Sequence, residues 1–229
     1  MPCRPAFIAA LGLAATLSLA PLAAEEANPT ASPTGTAGAA TRLVLADALW
    51  RQGLTDGQPL YLLTAIQLAR SVTLQPATGW ERTTTGGATD APPGRAAAPD
   101  PASEDALAIV RNLAEEDPTL QEVVYDLDAQ VPRSPTATAV FAKAELAPGQ
   151  TDSWRIVLFG AVPAELGVIG DGDSRLGLTL VDEAGVEVCA TPLSTGPALC
   201  RLTPARNGFF TLTVTTSGTE VNHYRLIGN

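Results

Sequence analysis

Phe209-Phe210-Thr211-Leu212-Thr213-Val214-Thr215-Thr216 alternates along its length, with Phe210, Leu212 and Val214 on one face and Thr211, Thr213 and Thr215 on the other. A period of two is the repeat of a strand that buries one face and wets the other. Upstream, Leu176, Leu178 and Leu180 repeat the pattern. The same reading from Ala139 to Ile227 gives eight short strands, at 139–146, 153–159, 164–169, 176–182, 186–190, 199–203, 209–216 and 221–227. Turn signals separate them, among them Pro148-Gly149, Gly170-Asp171-Gly172, Glu183-Ala184-Gly185 and Asn207-Gly208. Eight antiparallel strands, each with one apolar face, close most simply as a two-sheet sandwich over residues 136–229. Jelly-roll and immunoglobulin-like connections both satisfy this pattern.

Working outward, residues 41–130 change period from strand to helix. Leu43-Val44-Leu45-Ala46-Asp47-Ala48-Leu49-Trp50 reads as a helix stopping near Gly53. A second helix holds Pro59 in its first turn and runs through Leu60, Leu63, Ile66 and Leu68. Ser103 caps a third, with Glu104 and Asp105 at the positive end of the helix dipole. Asp117-Pro118 opens a fourth, and Leu120, Val123, Val124 and Leu127 mark its face. The expected class is therefore α+β: about four helices in a small array of hairpins, followed by the sandwich. Trp50 and Tyr61 read as packing residues between helices. Residues 75–102, rich in Gly, Pro, Thr and Ala, read as a disordered loop.

Residues 1–24 read as an export signal. Arg4 supplies the positive end, Ala6 to Ala20 is small and apolar, and Pro21-Leu22-Ala23-Ala24 offers a small-residue cleavage site. The apolar run is short for a bilayer span, so no stable membrane insertion is expected after cleavage. A periplasmic or secreted location follows. Residues 25–40, rich in Ala, Pro and Thr, read as a flexible linker. Behind the signal only Cys189 and Cys200 remain, and an even pair in an exported chain predicts a disulfide. On consecutive strands, that bridge would staple a hairpin.

The formal charge is −10, with 14 basic against 24 acidic residues. No positive stripe is present to neutralise phosphates, which argues against nucleic acid as a partner.

The run Leu146-Ala147-Pro148-Gly149-Gln150-Thr151-Asp152-Ser153-Trp154, the turn Gly170-Asp171-Gly172-Asp173 with the leucine strand after it, and Thr203-Pro204-Ala205-Arg206-Asn207-Gly208-Phe209-Phe210 together resemble bacterial pre-peptidase C-terminal domains. The ending from Asn222 to Asn229 is similar to that of uncharacterised exported proteobacterial proteins with a helical N-terminal part. The resemblance covers roughly residues 140–229. It implies a secreted β-sandwich of a non-catalytic kind, some of whose members bind calcium, insoluble polymers or proteins. One departure matters: where the family shows Asp-Leu-Asp-Leu, this chain has Arg175-Leu176-Gly177-Leu178, so two expected carboxylates are missing. Asp171, Asp173 and Asp182 remain as candidate calcium ligands, against a solvated acidic turn as the alternative.

The functional expectation is a non-catalytic exported protein whose sandwich binds a protein or a cell-envelope polymer, with no catalytic residues and no obligatory cofactor. The alternative is a small exported hydrolase using the acidic turn or His223, the only histidine. No Gly-x-Ser-x-Gly elbow accompanies His223.

Overall fold

The computed structural model describes residues 28–30, 37–87, 90–94, 98–129 and 137–229. The expected export signal lies outside these residues, as does much of the expected linker. Helices α1 (Ala39–Asp56), α2 (Pro59–Arg70), α3 (Glu104–Leu113) and α4 (Pro118–Ala129) precede the main strands. Three short strands are interleaved with them: β1 (Pro29–Thr30), β2 (Val72–Pro76) and β3 (Glu81–Thr85). Then come β4 (Ala137–Leu146), β5 (Thr151–Leu158), β6 (Ala164–Gly170), β7 (Leu176–Val181), β8 (Glu187–Ser194), β9 (Ala198–Pro204), β10 (Gly208–Thr216) and β11 (Asn222–Gly228). The α+β class and the eight expected strands are all present.

The strands form two sheets, ordered β1-β9-β6-β11-β4-β2 and β3-β5-β10-β7-β8. Within them β4 pairs with β11, β5 with β10, β6 with β9 and β7 with β8, all antiparallel. These nested pairs are one long hairpin folded over on itself, which makes the sandwich a jelly roll and not an immunoglobulin fold. Phe210, Leu212, Val214, Leu178, Leu180, Leu202 and Leu226 fill the space between the sheets. Their alternation in sequence is the cause of that burial, since each strand turns every second side chain inward.

Four expectations need correction. The loop expected to be disordered over 75–102 contains the end of β2 and all of β3. Strand β3 pairs with β5, and β2 runs parallel to β4 at the opposite sheet's edge. Strand β3 is polar throughout (Glu-Arg-Thr-Thr-Thr), so it carries no apolar alternation; Arg82 and Thr84 hold it by bonding to Asp152 instead. The second correction concerns the linker over 25–40. Asn28 is completely buried, β1 pairs with β9, and α1 starts at Ala39.

The third concerns the disulfide. Cys189 and Cys200 are bridged, with Cα atoms 6.0 Å apart. However, β8 belongs to the five-stranded sheet and β9 to the six-stranded one. The bridge therefore ties the two sheets together, because the segment between β8 and β9 crosses the sandwich instead of turning back within a sheet.

Helix α1 also runs past the expected stop at Gly53 and ends on Gly57, whose φ of 62° suits a residue without a side chain. Gly53 serves a different purpose. A Cβ there would lie 2.7 Å from Leu62 Cδ2, so its absence lets α1 and α2 approach. Ser103 accepts from the Ala106 N–H at 3.2 Å, and Asp117 Oδ1 accepts from Thr119 and Leu120. Both caps fall where the sequence puts them. Trp50, Leu62, Ile66, Leu107, Val110 and Val124 form the core of the helical array.

Helix α1 packs against both the array and the sandwich. Its Leu43, Ala40 and Ala46 pack with Ile169 and Ile227 on the outer face of the six-stranded sheet. Gly167 makes room there, since a Cβ would sit 2.9 Å from Val44 Cγ2. The N-terminus of α1 has no side-chain cap of its own. Glu165 of β6 supplies one, accepting from the Gly38 and Thr41 N–H groups at 3.0 and 2.9 Å. A carboxylate at this position satisfies orphan donors and meets the positive end of the dipole.

Candidate functional site

The outer face of the six-stranded sheet is covered by α1 only in part. Beyond the covered region, the last turns of α1, residues 98–101 and the ends of β4, β6 and β11 border a half-open cavity of about 440 Å³. This lies within the size range of small-ligand sites. Alternation again sets its lining. Ala144 and Tyr224 turn into the sandwich core, so Lys143, Glu145, His223 and Arg225 turn outward to the cavity side. In the β4–β11 register His223 faces Glu145 and Arg225 faces Lys143.

Most charges in the cavity are already matched. Arg51 Nε donates to Asp47 Oδ2 at 2.6 Å, and its Nη2 donates to the Gly170 carbonyl at 2.5 Å. Arg225 pairs with Asp100. Asp171 accepts the His223 N–H at 2.7 Å and the Asp173 N–H at 3.1 Å. His223 Nδ1 stands 3.8 Å from Glu145 Oε1, with both side chains largely in solvent.

Trp50 and Lys143, which both line the cavity, carry donors with no partner among the described residues. Trp50 is 1% exposed and lines the cavity, yet its indole N–H has no hydrogen-bond partner. Lys143, the only lysine of the chain, lines the same cavity. The expected role of Trp50 in helix packing holds; lining the cavity is a second role that helix spacing alone does not reveal. Tyr61, expected to pack likewise, is 44% exposed.

The three candidate calcium ligands are not brought into one set. Asp171 and Asp173 lie in the turn before β7, and Asp182 lies just beyond its far end. A six-residue strand separates them, roughly 20 Å at about 3.3 Å per residue. Asp182 is instead a clasp for the chain's N-terminal segment. Its carboxylate accepts from the N–H groups of Asn28, Ala184 and Val186 at 2.9, 3.0 and 2.9 Å. Burial pushes its carboxyl up, but those three donors and the nearby Arg206 charge outweigh that and hold it below its ordinary 3.8.

Beneath the cavity floor lies a buried polar chain. Trp154 Nε1 donates to Tyr224 Oη at 2.8 Å, and Tyr224 donates to Asp152 Oδ2 at 2.5 Å. Arg82 of β3 reaches the same carboxylate at 2.8 Å. Burial first, and then the bond to Asp152, push the Tyr224 phenol well above its ordinary 10.0, so it stays neutral and donating. Trp80 packs edge-on against Trp154, with ring centroids 6.5 Å apart. Neither ring is placed as an exposed platform.

The cavity residues that the sequence reading passed over are Arg51, Asp100, Lys143, Glu145 and Arg225. A signal was present in Lys143-Ala144-Glu145 and His223-Tyr224-Arg225, where charges alternate with buried residues on two strands. Only the pairing of β4 with β11 turns those two signals into one site.

No family model matches this chain, and no curated protein matches it. Among solved structures it is similar to the Yersinia pseudotuberculosis-derived mitogen, at 12% identity over 40% of this chain and 84% of that chain, with a TM-score of 0.28. A likeness of that size carries no functional argument. The chain holds a disulfide, and no helix among the described residues is long and apolar enough to cross a membrane.

Proposed function

We propose that this chain is an exported, non-catalytic binding protein, periplasmic or secreted, whose jelly roll is a pre-peptidase C-terminal-like module. Its helical array completes a recognition cavity on the sandwich, into which a segment of a protein or of a cell-envelope polymer enters. The observation that carries this reading is the cavity of about 440 Å³ where α1 meets β4, β6 and β11. It gathers the sole lysine, the sole histidine and a buried tryptophan with an unpartnered N–H. The disulfide supports an oxidising compartment.

A hydrolase is the second reading, because Glu145, Asp171 and His223 do meet at the cavity. Binding is favoured over it on chemistry. No serine, threonine or cysteine lines the cavity among the described residues, and the one phenol, that of Tyr224, donates to buried Asp152, so His223 has no side-chain hydroxyl or thiol to activate there. Asp171 spends both oxygens on main-chain donors.

Because Lys143 is the only lysine, its acylation rate reports on the cavity. The test compares Lys143 labelling, read by peptide mass mapping, with and without envelope extract from an exporting bacterium. Several-fold protection is expected, and it should vanish when Ala98→Trp fills the cavity. An unchanged rate would refute the reading, and turnover lost in His223→Ala would favour the hydrolase.

A further inference from the structure

Helix α4 is the last of the helical array, packed on α3 and α2. An array of helical hairpins closes when its final helix turns a polar face outward. Helix α4 does not close it in this way. Of its large apolar and aromatic side chains, Leu120, Val123, Val124, Tyr125 and Leu127, only Val124 is buried. Tyr125 is 73% exposed. Over Val124 an open groove of about 370 Å³ runs between the two helices, with Arg111 and Glu115 on the α3 side and Tyr125 and Asp128 on the α4 side. It shares no residue with the junction cavity.

The charge around this groove is one-sided. From Arg111 to Asp128 the chain holds six acidic side chains and one basic, which is half of its formal charge of −10. Arg111 is already paired with Asp128 across 2.5 Å. Glu115, Glu122 and Asp126 have no cation among the described residues. Glu122 and Asp126 stand one turn apart, a like-charge spacing that destabilises a helix. The last turn of α4 holds no basic residue, so Asp126 and Asp128 also face the negative end of the dipole. Every one of these costs is relieved by a cation brought from outside.

The charge selects the occupant. A second copy docked by two-fold symmetry would set this acidic surface against itself. Anionic lipid and nucleic acid are repelled by the same field. An amphipathic helix with a basic flank satisfies both features, since its apolar stripe fills the groove while its cations meet the carboxylates.

We infer that the α3–α4 groove docks a basic amphipathic helix of a partner protein, its apolar stripe seated on Val124 and Tyr125 and its cations meeting Glu115 and the Glu122–Asp126 rim. This goes beyond the cavity reading and stands independently of it.

The test uses the full exported chain and the fluorescence anisotropy of a labelled leucine–lysine peptide, amphipathic over about five helical turns. Its controls are the same composition scrambled to abolish the stripe, and the leucine–glutamate counterpart. The basic amphipathic peptide should bind about tenfold or more tightly than either control. Tyr125→Ala should weaken it about tenfold. The variant Glu115→Gln/Glu122→Gln/Asp126→Asn should weaken it as well and remove most of its salt dependence. Ala98→Trp, in the junction cavity, should leave it unchanged. Tyr125, Glu115, Glu122 and Asp126 are all exposed, so their variants keep the fold. Absence of binding, equal binding of the scrambled or the glutamate peptide, or indifference to Tyr125→Ala overturns the inference. So does a dimer in sedimentation velocity that Tyr125→Ala dissociates, which would make a second copy the occupant. Adsorption to phosphatidylglycerol vesicles that Tyr125→Ala abolishes would overturn it in favour of a lipid surface.

Discussion

Arg51 of α1 donates to the carbonyl of Gly170, at the end of β6, across 2.5 Å. That contact joins helix and sheet at the cavity wall, and the same guanidinium neutralises Asp47. Arg51→Met should cost about 1–3 kcal/mol, because it strips a half-buried ion pair and leaves the 7%-exposed Asp47 without its cation. Urea unfolding followed by tryptophan fluorescence should show a lower midpoint with an unchanged slope. An unaltered midpoint would mean that α1 is held by apolar packing alone.

Tyr224→Phe removes the central link between Trp154 and Asp152 and leaves a fully buried carboxylate with fewer donors. A loss of about 1–3 kcal/mol is expected. In the native chain the raised phenol gives a definite pH dependence. The unfolded phenol ionises near 10 while the folded one keeps its proton, so this contribution is complete below pH 10 and declines as the pH climbs past it. Ultraviolet titration should find that Tyr224 ionises only as the fold opens.

Asp182 carries the opposite sign. Its folded pKa lies below the ordinary 3.8, so its contribution is present above that value and is lost as the pH falls through the folded one. Asp182→Asn should flatten the acid limb of a stability–pH profile below about pH 4. A limb identical to that of the native chain would assign acid sensitivity elsewhere.

Asn28→Ala should release the N-terminal clasp. The Asn28 side chain donates to Glu183 and accepts from the Arg206 N–H, while its carbonyl accepts from the Ala205 N–H. Loss of the side-chain bonds should cost about 1–2 kcal/mol. Limited proteolysis should then cut ahead of α1 much faster than in the native chain. Equal cutting rates would show that main-chain contacts alone retain the segment.

Reduction of Cys189–Cys200 should lower stability by about 2–4 kcal/mol. Since the bridge joins two sheets, the variant Cys189→Ala/Cys200→Ala should speed hydrogen exchange along β8 and β9 more than along β10. Uniform acceleration would indicate a purely unfolded-state effect.

The strands were legible because their alternation is local. Leu176, Leu178 and Leu180 declare a buried face without knowledge of any partner, and helix caps such as Ser103 act within one turn. What stayed hidden depends on distant residues. Strand β3 has no apolar face, and only Asp152, far along the chain, gives Arg82 and Thr84 a reason to be ordered. The same holds for Gly53, which reads as a stop signal until Leu62 is known to press against it. The nesting of pairs, and with it the crossing path of the disulfide, cannot be read from strand pattern. The cavity was invisible for this reason too, as its charges come from elements joined only by tertiary packing.

The nested pairing has a kinetic consequence. The innermost partners, β7 and β8, are close neighbours in the chain, whereas β4 and β11 are separated by the whole sandwich. Closing short loops is entropically cheaper than closing long ones, so assembly should zip from the middle outward, with each pairing shortening the effective loop for the next. The final strand then slots in between β6 and β4, at the centre of its sheet. Without β11 the six-stranded sheet would be left as two unjoined parts, β1-β9-β6 on one side and β4-β2 on the other.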